Sequence, residues 1–264
     1  MKKNNIIKIA EVGLNHLGSE KIAKKYLNYL INTSVDGISF QIKNQDFNKK
    51  FKLATNKKKT NSKLKRFFLE QNEDFKYFFL DVLKNDKIKK LTLSDNFYKY
   101  AIKKCKQKKK LIGFAVQDSD KIDFLESQKI DFYKILNSDI DNKKLIKKIA
   151  KNKNALKIIS ISDNTLIQIK KTVKLIGQSS KTIISVTNFD KKLNPEYLKK
   201  IKVYKKIFNL KVGYGNHSEI KNLSKVLKYK PELILLYVKL DNKTKLPDTT
   251  HAINLNSIEK IYKN

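Results

Sequence analysis

A chain of 264 residues, 40% of them hydrophobic, has enough apolar surface for one large core, and no Pro/Gly/Ser-rich linker divides it, so a single domain over residues 1–264 is expected. Its 59 Lys and Arg against 25 Asp and Glu give a formal charge of +34, yet Arg66 is the only arginine and the lysines are spread over nearly every helical stretch. Recognition of bases and phosphates favours the bidentate guanidinium fork, so a solvated lysine-rich face is expected rather than a nucleic-acid surface. No apolar run approaches the roughly 18 residues of a membrane span, and the start MKKNNIIKIAEV has no long apolar stretch before a cleavage site. A soluble, cytoplasmic protein without a membrane partner is the expectation, and Cys105, the single cysteine, excludes an intrachain disulfide.

Eight short apolar, β-rich runs follow one another along the chain. They are IIKIAEV (6–12), GISFQI (37–42), LIGFAV (111–116), FYKIL (132–136), LKIISI (156–161), TIISVT (182–187), LKVGY (210–214) and ELILLYV (232–238). Stretches of helical period separate them, among them SEKIAKKYLNYLINT after the first and NTLIQIKKTVKLIG after the fifth. Parallel strands need crossover helices and a closed barrel leaves no edge, so an α/β fold of the (β/α)8 TIM barrel type is expected, with an open doubly wound sheet as the alternative. Residues 44–96 read as an insertion after the second strand, carrying a lysine-rich loop at 56–65 and a helix over NEDFKYFFLDVL. GLNHLG lacks the spacing of a dinucleotide fingerprint.

Barrel chemistry gathers where strands run into the following loops, and these ends are polar throughout. They present Glu11 with Asn15 and His16, Gln41 with Lys43, Gln117 with Asp118, Asn137 with Asp139, and Ser160 with Ser162. The later ends add Thr187 with Asn188, Asn216 with His217, and Lys239 with Asp241. The chain's three histidines, His16, His217 and His251, all fall on this face.

IAEVGLNHLGSEKIAKKYL followed by DGISFQIK resembles the opening signature of the sialic acid synthase family, the N-acetylneuraminate synthases and their relatives. The likeness continues through DFYKILNSDIDNKKLIKKIA, KIISIS, ISVTNFD, VGYGNHSE and LPDTTHAIN, and stops short of the antifreeze-like domain that many members carry at their C-terminus. The resemblance implies a transferase on a (β/α)8 barrel that joins phosphoenolpyruvate to an N-acylated amino sugar, giving a sialic-type acid for carbohydrate biosynthesis. It also implies a divalent metal, Mn or Mg, and a homodimer. By the same resemblance Glu11 and His217 are catalytic, and Lys134, Asn137, Ser160, Asn188 and Asp248 bind substrate; Lys43 lies outside the family pattern and is the lysine available to reach the substrate anion from a different position. His217 is the implied metal ligand, with His251 as its available supplement.

Several positions depart from the family pattern. Ser39 stands where a lysine is implied, Val116 where a threonine is, and Ser185 with Val186 where a His-Cys pair is. The second metal histidine falls at or near Val238 and its preceding glutamate at or near Leu236. Weak metal binding and low synthase activity are therefore expected, recoverable by Val238→His and Leu236→Glu with Ser39→Lys. A catalytically impaired, sugar-binding barrel of the same family is the alternative.

Overall fold

The computed structural model describes residues 6–43, 91–188, 193–241, 248 and 251–263. The lysine-rich run at 56–65, the helix expected over 72–83 and the rest of the insertion up to residue 90 lie outside the described residues.

Eight parallel strands, β1 (Ile7–Gly13), β2 (Gly37–Ile42), β3 (Leu111–Val116), β4 (Phe132–Ile135), β5 (Leu156–Ile161), β6 (Thr182–Asn188), β7 (Lys211–Asn216) and β8 (Leu233–Lys239), pair in chain order. β1 pairs with β8 from Ile7↔Leu233 to Glu11↔Tyr237, which closes the sheet into the expected barrel. A short β9 (Ile253–Asn254) runs beside the end of β8, with Val238 opposite Ile253. Three strands have the bounds expected from the sequence, and the others differ by one or two residues at an end.

The crossovers are helical among the described residues: α1 (Glu20–Leu30), α2 (Asp95–Gln107), α3 (Lys121–Ser127), α4 (Lys143–Lys151), α5 (Leu166–Ile176), α6 (Pro195–Phe208) and α7 (Leu223–Leu227), with α8 (Ile258–Lys263) closing the chain. Their starts are fixed by side chains that accept otherwise unpaired backbone N–H groups. Ser19 caps α1, Ser94 caps α2, Asn142 caps α4, and Thr165 forms a reciprocal capping box with Gln168 on α5. None of the described helices is long and apolar enough to cross a membrane.

Alternation along each strand divides the core in two. Ala10, Val12, Ile38, Phe40, Ile112, Phe114, Val186, Tyr214, Leu236 and Val238 point outward into a continuous layer beneath the helices. Ile9, Phe132, Ile158, Ile183, Leu233 and Leu235 form a separate apolar plug inside the barrel. Gly113 is required beside this plug, because a Cβ there would come 2.2 Å from the Phe132 ring. Further along the strands the lumen becomes polar, at Glu11, Ser39, Lys134, Ser160, Ser185 and Tyr237.

Candidate active site

The polar floor starts at Glu11, two residues beyond the plug residue Ile9 on the same face of β1. Its Oε1 accepts from the Gly13 amide at 3.1 Å, and Gly13 bends the strand out at φ 57°, a conformation that favours glycine. Across the lumen on β4, Lys134 follows Phe132 by two and donates to Glu11 Oε2 at 3.1 Å and to the Tyr237 hydroxyl of β8 at 3.1 Å. The two charged side chains are 3% and 1% exposed, so water contributes almost nothing to holding them. Burial works against the Lys134 ammonium, but the Glu11 carboxylate and Tyr237 outweigh it and hold its pKa above the ordinary lysine value. Burial pushes the Tyr237 phenol up to about 12, with Lys134 opposing and Glu11 and Asp248 adding, so it is a neutral donor at physiological pH.

Three rings close the side of the mouth formed by β7 and β8. His217 follows β7 directly, and its ring centroid lies 4.6 Å from Tyr237 and 4.1 Å from His251. His251 meets the edge of Tyr237 at 4.8 Å, and its Nε2 is 3.5 Å from Asp248 Oδ1. Burial, His251 and Lys134 together hold His217 well below the usual imidazole range, so it is neutral. Asp248 is held to the barrel by Asn15, whose Oδ1 accepts from the Asp248 amide at 3.2 Å while its Nδ2 donates to the Val238 carbonyl at 2.8 Å.

The opposite side carries Lys43, just beyond β2. Burial pushes its pKa down to about 8, offset in part by Asp139 and Asp248. Asp139 lies in a 3-10 turn (Asn137–Asp139) after β4 and accepts from Gln117 Nε2 and Ser138 Oγ, both at 3.2 Å. Between the two sides, Ser160 Oγ and Thr187 Oγ1 share a hydrogen bond of 2.9 Å. The site therefore offers one neutral phenol, two lysines, the carboxylates of Glu11, Asp139 and Asp248, two imidazoles and a wall of hydroxyls above a dry apolar base.

Several expected site residues lie elsewhere. Asn188 has the outward parity of Val186, and it borders Tyr214, whose hydroxyl burial raises to about 12 against the influence of Ser218 and Asn188. Thr187 is the lumen-facing residue of that strand end. His16 lies at the end of the barrel where the strands run into their following loops but packs against Phe40 of the outer layer, at 6.3 Å between rings. Its Nδ1 accepts from the Gly18 amide at 2.9 Å. Asn137 is half-buried and offers its backbone carbonyl to Asn164 at 3.2 Å. Val116 also points outward, and Gln117 takes the adjacent position beside Asp139.

The largest correction concerns β8. Leu236 and Val238 belong to the outer layer, whereas Leu235 and Tyr237 face the lumen. A histidine at 238 and a glutamate at 236 would be buried against helices, not added to the mouth. Tyr237 was missed because LILLYVKL is apolar on both faces and hides its parity; the odd-numbered residues Ile7, Ile9 and Glu11 across the β1–β8 pairing are the signal that reveals it.

The donor set does not suit a hard divalent cation, which gains most from carboxylate oxygens. Glu11 is engaged by Lys134, Tyr237 is a neutral phenol, and the Lys134 ammonium lies against that phenol. Among the described residues no cluster of three or more His, Cys, Asp or Glu side chains is arranged to hold a metal.

The structure resembles the sialic acid synthetase of Leptospira borgpetersenii, with a TM-score of 0.78 at 18% identity over 98% of this chain and 82% of that one. It also resembles the Bacillus subtilis spore coat polysaccharide biosynthesis protein spsE, with a TM-score of 0.73 at 18% identity over 98% and 66%. In sequence it is 27% identical over 229 residues to the N,N'-diacetyllegionaminic acid synthase of Campylobacter jejuni subsp. jejuni serotype O:2, covering 83% of this chain and 62% of that protein. The chain thus spans less than two thirds of this curated relative. Residues 32–264 match the NeuB family, a span that takes in seven of the eight barrel strands and every mouth residue except those of β1 and its loop, and the chain belongs to that family.

Proposed function

We propose that the chain condenses phosphoenolpyruvate with an N-acylated amino sugar to form a sialic-type nonulosonic acid, as a carbon–carbon bond-forming transferase of cytoplasmic carbohydrate biosynthesis. The observation that carries this reading is the buried Glu11–Lys134–Tyr237 cluster at the mouth of a NeuB-family barrel. Lys134 and Lys43 supply positive charge for an enol phosphate carboxylate, and the Ser160–Thr187 hydroxyls line the same lumen. Glu11 supplies an acceptor for a sugar hydroxyl, and the dry floor strengthens each of these contacts.

Release of inorganic phosphate from phosphoenolpyruvate across a panel of N-acyl amino sugars tests the proposal. A sugar-dependent release, lost in Glu11→Gln, is expected. A second reading, a sugar-binding barrel with impaired catalysis, is favoured by Ser39, which stands in the lumen where the family pattern has a lysine. Calorimetric binding of an amino sugar with no phosphate release would establish that reading instead.

A further inference from the structure

We infer that this mouth works without a divalent metal, and that the Tyr237 phenol, held by Lys134, is the group that hydrogen-bonds and protonates the aldehyde oxygen of the open-chain sugar. The inference rests on the condensation reading above and adds a catalytic residue to it.

Three observations converge on Tyr237. Its position on β8, opposite Glu11 in the β1–β8 pairing, directs it into the lumen above Leu235 of the plug. Its ring is fixed edge-on by two imidazoles, His217 at 60° and His251 at 83°, so the hydroxyl has little freedom to swing. Lysine can only donate, so in the 3.1 Å contact with Lys134 the phenol oxygen is the acceptor and its own hydrogen remains available to a second acceptor. A metal cation at this point would lie against the Lys134 ammonium, and Glu11, the carboxylate paired with that ammonium among the described residues, is already engaged at 3.1 Å.

The step balances without a metal. The double-bond electron pair of phosphoenolpyruvate forms the bond from its methylene carbon to the aldehyde carbon, and the carbonyl pair moves onto oxygen, which takes the Tyr237 proton. The phenolate so formed is stabilised by the adjacent Lys134 ammonium. Water adds to the cationic C2 and returns a proton to the phenolate. The resulting hemiketal phosphate collapses to the ketone, its hydroxyl proton leaving with inorganic phosphate.

The test uses the full chain in three arms. Mn²⁺ titration by calorimetry is expected to show no binding to the unmodified protein and binding to Tyr237→His, which replaces the phenol beside Lys134 with a lumen-facing imidazole next to His217 and His251. EDTA is expected to leave phosphate release by the unmodified protein within about twofold, and Tyr237→Phe, which keeps the ring packing, is expected to lower kcat by about 100-fold or more with little change in KM for phosphoenolpyruvate. Mn²⁺ binding to the unmodified chain, EDTA inhibition reversed by Mn²⁺, or an unchanged kcat in Tyr237→Phe each overturns the inference. The first two arms on the unmodified chain do not depend on any variant folding. Absence of phosphate release with every sugar refutes the condensation reading and the Tyr237 step with it, while the Mn²⁺ titration still decides whether the mouth takes a cation.

Discussion

Removing one member of the Glu11–Lys134 pair should cost far more than removing both. The carboxylate and ammonium are 1% and 3% exposed, and among the described residues each has one further hydrogen-bond partner, the Gly13 amide for Glu11 and the Tyr237 hydroxyl for Lys134. Lys134→Met leaves a carboxylate in a site with no compensating cation, and Glu11→Gln leaves an ammonium without its counterion. Each is expected to destabilise the fold by about 3–5 kcal/mol, the range for breaking a buried pair on one side. The double variant removes both desolvated charges and is expected to lose no more than either single variant, so the two effects are strongly non-additive. Urea unfolding followed by circular dichroism, with all four proteins showing one transition of similar slope, supplies the cycle. Single losses below about 1 kcal/mol, the range for exposed pairs, or losses that simply add, would show that this lumen is not dry and would remove the physical basis for the site.

Other consequences follow from individual positions. Lys43 carries a pKa pushed down to about 8 by burial, so its charge is lost as pH rises through that value; phosphoenolpyruvate affinity should fall between about pH 7 and 9, and Lys43→Met should flatten the profile, whereas an affinity constant to pH 10 excludes Lys43 from the anion site. His16, which burial holds down to about 4, binds its proton more readily in the unfolded chain than in the folded one. Its contribution is therefore complete above the unfolded value of 6.5, and up to about 3 kcal/mol is lost as pH falls towards 4. Urea midpoints measured over that window should fall less steeply in His16→Gln, and parallel profiles would contradict the assignment. Gly113→Ala places a Cβ 2.2 Å from the Phe132 ring and 2.4 Å from its backbone oxygen, so a loss of about 1–3 kcal/mol or more is expected, and an unshifted midpoint would be inconsistent with the packed plug.

The barrel was legible because eight apolar runs alternate with amphipathic stretches, and strand bounds such as Gly37–Ile42 and Leu111–Val116 coincide with the quoted runs. Glu11 and Lys134 were legible for a related reason: each interrupts an otherwise apolar strand, and the lumen is where a barrel strand admits such a residue. What one sequence hides is parity at strand ends. Thr187 and Asn188 are both polar, and only the pairing of β6 with β7 and the placement of Val186 in the outer layer assign the first to the lumen and the second to the helix side.

Parity also changes what the family departures mean. With Val238 read as the lost ligand, the site looks simply eroded, an aliphatic residue replacing an imidazole. With Tyr237 in the lumen, the same strand supplies a phenol hydrogen-bonded to the lysine that already bridges to Glu11. The replacement is then a chemically coherent set: an ammonium that compensates the carboxylate, a phenol whose proton the ammonium makes easier to release, and two imidazoles that fix the ring. Erosion of the Glu11–Lys134–Tyr237 set would leave one of its buried groups unpaired, at a cost in stability. The Glu11, Lys134 and Tyr237 groups are instead paired with one another, which is the arrangement selection for a working site would retain. Among the described residues the Ser39 and Ser185 hydroxyls in the same lumen are buried without a hydrogen-bond partner, which makes them positions where a bound ligand would contribute contacts.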